Sequence, residues 1–131
     1  MTIYETEQNI INDLNELEDI LARSEFLIRC GMVYEGLPRE QCRDDLLIRD
    51  CQVNTWVSLS WNTGQLSFCA YSESLLVNGA LALLDEIFNN RSRAELADYD
   101  CDLLNDPSFA DLFTLTQLKG MRSIIDMILI K

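Results

Sequence analysis

A β-hairpin flanked by helices is the sequence feature that most restricts how this chain can fold. The runs TWVSLSW and QLSFCAY, joined by the triplet NTG, occupy residues 55–71. In the first run Val57, Leu59 and Trp61 share one face, which is the period of a half-buried strand. The Asn-Thr-Gly triplet favours a tight turn between two such strands. The sequence therefore predicts an antiparallel hairpin at about 55–71.

Apolar side chains recur at helical spacing on both sides of the hairpin. We predict helices at about 4–21, 24–35, 74–89, 93–98, 107–113 and 115–130, and a short helical turn at PREQC. The expected capping or first residues are Ser24, Ser72 or Ser74, Ser92 and the Asp106–Pro107 pair. Helices before and after a hairpin predict an α+β fold. A length of 131 residues predicts one domain, over residues 1–131.

Charge and composition exclude several classes of function. The chain has 22 acidic and 10 basic residues, giving a formal net charge of −12. Such a charge repels phosphate backbones and anionic lipids, so we expect no nucleic-acid partner and no membrane partner. The absence of histidine removes histidine-based acid–base chemistry, Cys-His dyads and most zinc sites. The N-terminal MTIYETEQN carries no basic or apolar signal region, so we expect a cytoplasmic protein.

The five cysteines are the remaining candidates for chemistry. Their odd number and irregular spacing predict reduced thiols rather than a disulfide framework. Cys30 lies on an apolar helical stripe and is expected to be buried. Cys69, on the second strand, is expected to be structural or half-exposed, and Cys42 is expected at the surface of a turn. Cys101 lies among acids that raise a thiol pKa, which makes it a poor nucleophile.

Cys51 differs from the other four in its position, at the end of a loop and the start of a strand. A loop can present a thiol to a partner while the sheet holds its base. From the residues alone three interpretations stay open: a packed thiol, a nucleophile or carrier, and a metal ligand. No CxxC spacing supports the metal interpretation. Its further ligands would come from Cys42, Asp44, Asp45 and Asp50.

Four segments follow one another in the order DCQVNTWV, SESLLVNGALALL, SRAELADYD and TLTQLKGMRSII. Together they resemble the motifs of the SufE family, which includes the related CsdE proteins. The family has a Gly-Cys-Gln-Ser-x-x-Trp-[Val/Leu/Ile] segment, and this chain has DCQVNTWV at residues 50–57. A stretch similar to Ser-Asp-x-x-Ile-Val-Lys-Gly-Leu follows a hairpin in the family, and here SESLLVNGALALL has Gly79 at the glycine place. SRAELADYD at residues 92–100 is similar to Thr-Pro-x-Glu-Ile-x-x-Phe-Asp, and TLTQLKGMRSII is similar to Ser-x-Ser-Arg-x-x-Gly-Leu. The order and spacing hold from about residue 9 to the end.

The resemblance implies both a fold and a function. The implied fold is SufE/IscU-like, with a small antiparallel sheet packed against several helices. Family members accept a sulfane sulfur from the persulfide of a cysteine desulfurase, which they stimulate, and pass it to an iron–sulfur scaffold. Carried over, Cys51 is the persulfide acceptor, and the partners are a cysteine desulfurase and a downstream sulfur acceptor. The carrier needs no histidine, because the partner enzyme and its cofactor carry out the C–S chemistry. We expect no cofactor and no metal in the carrier.

Neighbours of Cys51 are expected to tune the thiol or to shape its loop. These residues are Arg49, Asp50, Gln52 and Trp56. Asp50 stands where the family usually has glycine. A carboxylate beside a thiol raises the thiol pKa unless a positive group, such as Arg49, offsets it.

Three further positions depart from the family pattern. Val53, Asn78 and Gln117 stand where serine, lysine and arginine are usual. The loss of the arginine removes a pairing or packing role, unless Lys119 or Arg122 takes it over.

Two other functions are compatible with the same resemblance. The protein could be a non-catalytic adaptor or regulator that binds a desulfurase without carrying sulfur. It could also be a metal- or cluster-binding scaffold, since the SufE fold resembles that of IscU-type scaffolds. For the carrier, we expect neighbouring residues to shield Cys51 until a partner binds, because a solvent-exposed persulfide would be lost to small thiols.

Overall fold

A computed structural model describes residues 1–49 and 51–129 of the chain. In order, the elements are α1 (Ile3–Glu16), α2 (Ile20–Val33), β1 (Thr55–Asn62), β2 (Gln65–Ser72), α3 (Leu75–Phe88), α4 (Arg93–Leu96), α5 (Pro107–Ala110) and α6 (Leu115–Leu129). Short 3₁₀ turns cover Arg39–Gln41, Asp44–Leu46 and Leu103–Asn105. None of the helices in these described ranges is long and apolar enough to cross a membrane. The predicted α+β fold class is confirmed.

The hairpin forms where the alternating pattern predicts it. β1 and β2 pair antiparallel, with Val57 opposite Ala70. The turn residues Thr63 and Gly64 have φ angles of 51° and 81°, in the left-handed region that a two-residue hairpin loop requires. Val57 and Ala70 are both buried, so the predicted inner face is the one that packs on the core.

The boundary between the first two helices corrects the prediction. α1 ends at Glu16, so the helix predicted at 4–21 is too long. The second helix starts earlier than predicted, because the Asp19 carboxylate accepts the Ala22 N–H at 2.9 Å and caps it. Ser24, the expected cap, therefore lies inside α2.

A side chain of α2 explains how the chain can turn between the two helices. Arg23 donates from Nε to the Leu14 carbonyl and from Nη2 to the Leu17 carbonyl, each at 3.1 Å. These carbonyls lie at the end of α1, where a helix leaves acceptors without an intrahelical partner. Apolar periodicity continues through Leu17, and for that reason the pattern alone does not reveal the break.

α3 is the central helix of the core, and α2 crosses it at very short range. A Cβ on Gly79 of α3 would overlap the Leu27 carbonyl oxygen, and one on Gly31 of α2 would overlap the Leu75 carbonyl oxygen. Glycine at both positions therefore allows the two backbones to touch. Leu27 is fully buried beside the crossing.

The same crossing corrects the expected burial of Cys30. α2 packs on α3 through Gly31, so the side of α2 that carries Leu27 and Gly31 is the buried one. Cys30 is only half-buried, and Val33, predicted on the same stripe, is 77% exposed.

The starts of the later helices agree with the prediction. Ser74 caps α3, Ser92 forms a capping box with Glu95 at the start of α4, and Asp106 caps α5 ahead of Pro107. α4 and α5 are shorter than the predicted segments. α6 begins at the predicted residue, and position 130 of its predicted span lies outside the described residues.

We predict that Gly79→Ala lowers the free energy of unfolding by about 2 kcal/mol, since an overpacked contact typically destabilises by about 1–3 kcal/mol. The added methyl group must displace the Leu27 carbonyl, which outweighs the roughly 1 kcal/mol by which alanine favours a helix. Urea denaturation measures the change. Glu86→Ala, at an exposed position of the same helix, is the control and should change stability by less than about 0.5 kcal/mol. A Gly79→Ala protein as stable as the parent would contradict the close crossing.

Candidate functional site

Cys51 lies on a short loop whose two ends are held by backbone hydrogen bonds. On one side the Ile48 N–H donates to the Thr55 carbonyl at 2.8 Å, next to an isolated bridge between Leu47 and Trp56. Beyond the loop, the Glu73 N–H donates to the Asn54 carbonyl at 3.0 Å. The ends of the loop are therefore fixed to the start of β1 and the end of β2.

Hydrogen bonds connect this loop base to the centre of the fold. The buried Thr55 hydroxyl donates to the Ser72 hydroxyl at 3.0 Å. The Ser72 N–H donates to Asn78 Oδ1 at 3.0 Å, and Asn78 Nδ2 donates to the Gly31 carbonyl at 2.9 Å. Asn78, at the place of the family's usual lysine, thus joins β2 and α3 to the helix crossing.

The Cys51 thiol rests against the C-terminal helix. Cys51 is half-buried, and the three atoms nearest to a Cβ built on Gly120 of α6 all belong to it. Cys51 Cα and Cβ each lie 3.4 Å from the position that this Cβ would occupy. Cys51 Sγ lies closer to that position than atoms approach a Cβ in real structures. Gly120 itself is buried, so the thiol covers bare helix backbone.

A side-chain hydrogen bond also connects the loop to the start of α6. The Thr114 hydroxyl donates to Gln52 Oε1. Thr114 also caps α6 together with Gln117: the Thr114 N–H donates to Gln117 Oε1 at 2.9 Å, and the Gln117 N–H donates to Thr114 Oγ1 at 3.1 Å. This reciprocal pair is a capping box. Gln117, at the place of the family's usual arginine, therefore caps the end of α6 to which the loop is bound.

The other predicted site residues lie at the base of the loop or outside the described residues. Trp56 is half-buried and stacks on Tyr71 with ring centroids 6.0 Å apart, and the Arg39 guanidinium lies 5.6 Å from the Tyr71 ring. Trp56 also forms the isolated bridge with Leu47, in the segment that leads to Cys51. Arg49 is exposed. Asp50 lies outside the described residues.

Three other cysteines are half-buried thiols on the surface of the fold. Burial raises the pKa of Cys30, Cys42 and Cys69, and nearby acids, Glu86 for Cys30 and Asp85 for Cys69, raise it further. A raised pKa reduces the thiolate fraction and with it the nucleophilicity at neutral pH. The half-buried position expected for Cys69 is confirmed.

Cys101 is buried in a polar cluster around Glu7. The Glu7 carboxylate accepts hydrogen bonds from the Cys101 thiol at 3.0 Å, from the backbone N–H groups of Asp102 and Leu103 at 2.8 and 2.9 Å, and from the Tyr99 hydroxyl. Burial raises the pKa of the Cys101 thiol well above its ordinary range, and Glu7 adds to the increase. The predicted direction is confirmed, but the acid in contact is Glu7 of α1, a long-range partner that local sequence does not reveal.

The proposed metal ligands are not brought together in the part of the chain that the structure describes. Within residues 1–49 and 51–129, no group of three or more cysteine or acidic side chains is arranged to hold a metal ion. The remaining candidate, Asp50, lies outside those ranges.

The sequence pattern of a known family matches nearly the whole chain. The SufE family, described as an Fe-S metabolism associated domain, matches residues 8–130. The chain belongs to the SufE family. The resemblance seen in the Cys-Gln segment and the three later segments is thereby confirmed.

Individual relatives support the same assignment and the fold. The "Cysteine desulfuration protein SufE" of Wigglesworthia glossinidia brevipalpis is 25% identical over 118 residues, covering 88% of this chain and 82% of the relative. A solution structure of a hypothetical protein from Thermus thermophilus matches with a TM-score of 0.70 and 14% identity, covering 95% of this chain and 91% of that one. At that identity the likeness shows the fold alone.

The sequence alone predicts no role at the site for Gly120 or Thr114, although both positions carry a signal. A glycine inside a helical pattern costs about 1 kcal/mol relative to alanine and usually has a packing reason. The spacing of Thr114 and Gln117 is that of a capping box. What the sequence does not reveal is that Cys51 and Gln52 are the residues that these two positions contact.

We predict that Cys101→Ser reduces the loss of stability at alkaline pH. Because the pKa of Cys101 is raised in the folded state, its stabilising contribution is complete below the unfolded thiol pKa of about 8.5 and is lost as pH rises. Serine can still donate to Glu7 but does not ionise in this range. Between about pH 9 and 11, the unfolding free energy of the variant should fall less steeply with pH than that of the parent. The two slopes should differ by up to about 1.4 kcal/mol per pH unit.

Chemical denaturation across this pH range measures the effect. Cys42→Ser, at a surface thiol, is the control and should change the slope much less. Parallel pH profiles for the Cys101→Ser variant and the parent would contradict a protonated, buried thiol.

Proposed function

We propose that this SufE-family protein accepts a sulfane sulfur from a cysteine desulfurase onto Cys51, stimulates that enzyme and passes the sulfur on for iron–sulfur cluster assembly. One observation carries the proposal: Cys51 stands at the cysteine of the family's Cys-Gln segment, on a loop with fixed ends. The name of the Wigglesworthia relative, a cysteine desulfuration protein, supports the choice of partner.

The transfer is a thiol exchange at sulfur. The Cys51 thiolate attacks the outer sulfur of the partner's cysteine persulfide, and a new S–S bond forms on Cys51. The partner's S–S bond breaks, and its cysteine leaves as a thiolate. No net oxidation occurs, because the sulfane sulfur only exchanges one sulfur neighbour for another. The reaction needs an accessible thiol but no histidine. This agrees with the sequence, which contains no histidine.

The loop geometry suits both storage and delivery of sulfur. Storage is supported by the half-buried position of Cys51 against Gly120, because a neighbouring helix limits access by small thiols. Delivery is supported by the fixed ends of the loop, because the hydrogen bonds of Ile48 and Asn54 can persist while Cys51 leaves α6. Loops on a rigid base are common carriers of reactive groups.

The four neighbours of Cys51 have separate roles in this proposal. Gln52 holds the tip of the loop to α6 through Thr114, and Trp56 supports the base. Arg49, which is exposed, offers a positive charge beside the transfer site. Asp50 tunes the thiol through its carboxylate.

We predict that Cys51→Ser abolishes stimulation of a cysteine desulfurase. With purified desulfurase, its cofactor and cysteine, alanine production in the presence of the variant should fall to the level of the desulfurase alone. Serine cannot form a persulfide, so turnover must wait for a slower acceptor. Alanine release, measured with and without an added reductant, provides the readout.

Cys42→Ser is the matched control, since Cys42 is another half-buried surface thiol near the same loop in sequence. It should stimulate the desulfurase as the parent does. If Cys51→Ser stimulates as well as the parent, the carrier role is wrong and the protein acts as an adaptor. Thermal unfolding of both variants verifies that each is folded.

A further inference from the structure

We propose that the free edge of β1, together with a pocket beside Trp61, binds an extended segment of a partner protein as an added β-strand. The segment carries a bulky apolar side chain that enters the pocket and an acidic side chain that pairs with Arg93. We call this surface the β1 edge site. Cys51 is not part of it, so the inference is independent of the sulfur-acceptor function.

The outer edge of β2 is closed by other parts of the chain. Four hydrogen bonds satisfy its outward-pointing backbone groups: Leu66 N–H to the Arg91 carbonyl (2.9 Å), Asn90 N–H to the Leu66 carbonyl (2.8 Å), Phe68 N–H to Asn89 Oδ1 (2.8 Å) and Leu37 N–H to the Ala70 carbonyl (2.8 Å). The partners come from the segment after α2 and from the segment after α3. This edge of the hairpin therefore offers no place for a further strand.

The outer edge of β1, in contrast, is closed only at its start. The Thr55 carbonyl accepts the Ile48 N–H at 2.8 Å, so the backbone groups of Thr55 point away from β2. Because this direction alternates along a strand, the backbone groups of Leu59 and Trp61 point the same way. Within residues 1–49 and 51–129, the N–H and carbonyl groups of Leu59 and Trp61 form no hydrogen bond.

The usual protection of an open strand edge is missing from β1. Edges are commonly blocked by charged side chains, prolines or bulges, because an open edge pairs with other extended chains. β1 contains no charged residue and no proline, and its register with β2 is regular. Ser60 and Asn62 are exposed, and Leu59 is half-buried. A strand added here satisfies the backbone groups of Leu59 and Trp61, and such main-chain bonds give the affinity in strand addition.

A pocket of about 160 Å³ adjoins the end of the open edge, where Trp61 lines it. Its other walls come from α4, the residue after α4 and the end of α6, and are mainly apolar: Arg93, Leu96, Ala97, Ile128 and Leu129. A cavity of about 150 Å³ accommodates a ring of the size of benzene, so this pocket can hold one bulky apolar side chain. In strand addition, such pockets select alternate side chains of the bound segment.

Arg93 gives the pocket a positive charge. Its guanidinium lies 4.0 Å from the centroid of the Trp61 ring. Among the residues that the structure describes, no carboxylate pairs with Arg93, and Glu95, the acid of the same short helix, pairs with Arg91 instead. A guanidinium has N–H donors that suit a carboxylate, so the complementary segment has an acidic side chain on the face of its apolar one. A net charge of −12 disfavours a second copy of this chain as the occupant, because the two copies repel each other.

The test is amide hydrogen exchange, followed by NMR during titration with a capped peptide. The probe is the hexapeptide Thr-Leu-Thr-Glu-Thr-Val, acetylated and amidated, in which leucine and glutamate share one face of a strand. At saturating peptide, the Leu59 and Trp61 amides should exchange about tenfold more slowly than in the free protein, because they gain hydrogen bonds. The Leu66 and Phe68 amides, which are already bonded, should not change and serve as the internal control.

Arg93→Gln tests the charge that selects the segment. It should weaken binding of the peptide by about fivefold, as expected for loss of one exposed ion pair. Replacing the peptide's glutamate with glutamine should weaken binding to the parent protein to the same extent and binding to the variant no further. Arg39→Gln is the matched control, since Arg39 is also exposed and stacks on an aromatic ring, that of Tyr71, and it should leave the affinity unchanged.

Three results would overturn the β1 edge site. The first is a lack of binding of the peptide, and the second is binding that leaves the exchange of the Leu59 and Trp61 amides unchanged. The third is protection of these two amides without peptide that increases with protein concentration, because a second copy of the chain would then occupy the edge. All three measurements use the protein without a desulfurase, so they do not depend on whether Cys51 accepts sulfur.

Discussion

The buried amide of Asn78 is the contact on which the geometry of the Cys51 loop depends. It accepts from Ser72 at the end of β2 and donates to Gly31 at the helix crossing. Ser72 in turn accepts from Thr55, the residue whose carbonyl closes the base of the loop. Buried polar groups are stable only when their hydrogen bonds are satisfied, and here both ends of the amide are satisfied. The position of the loop is therefore set by the core rather than by the surface.

The proposed function requires that the Cys51 thiol be shielded and yet released, and different contacts of the loop would meet these two requirements. Backbone hydrogen bonds in the hairpin region hold the ends of the loop. The contacts of the tip include one exposed side-chain hydrogen bond, between Thr114 and Gln52, and the packing of Cys51 on Gly120. A difference of a few kcal/mol between a resting and a released state is small enough for partner binding to reverse. In the proposed carrier the loop would thus open while the fold remains intact.

Local patterns in the sequence predict the elements, whereas contacts between distant segments decide the site. The hairpin follows from alternation through Val57 and from the turn at Gly64, and the cap at Ser92 follows from its spacing to Glu95. The break after Glu16 does not follow, because it depends on Arg23 binding carbonyls of the preceding helix. In the same way Cys51 is identifiable from its segment, but its contact with Gly120, far along the chain, is not visible in any local pattern.

The most direct measurement is mass spectrometry of the protein after incubation with a cysteine desulfurase, its cofactor and cysteine. If Cys51 is the sulfur acceptor, we expect a gain of one sulfur atom, located on the peptide that contains Cys51 and absent from the peptides with Cys30, Cys42, Cys69 and Cys101. A complex with the desulfurase that forms without any sulfur appearing on Cys51 would contradict the acceptor role.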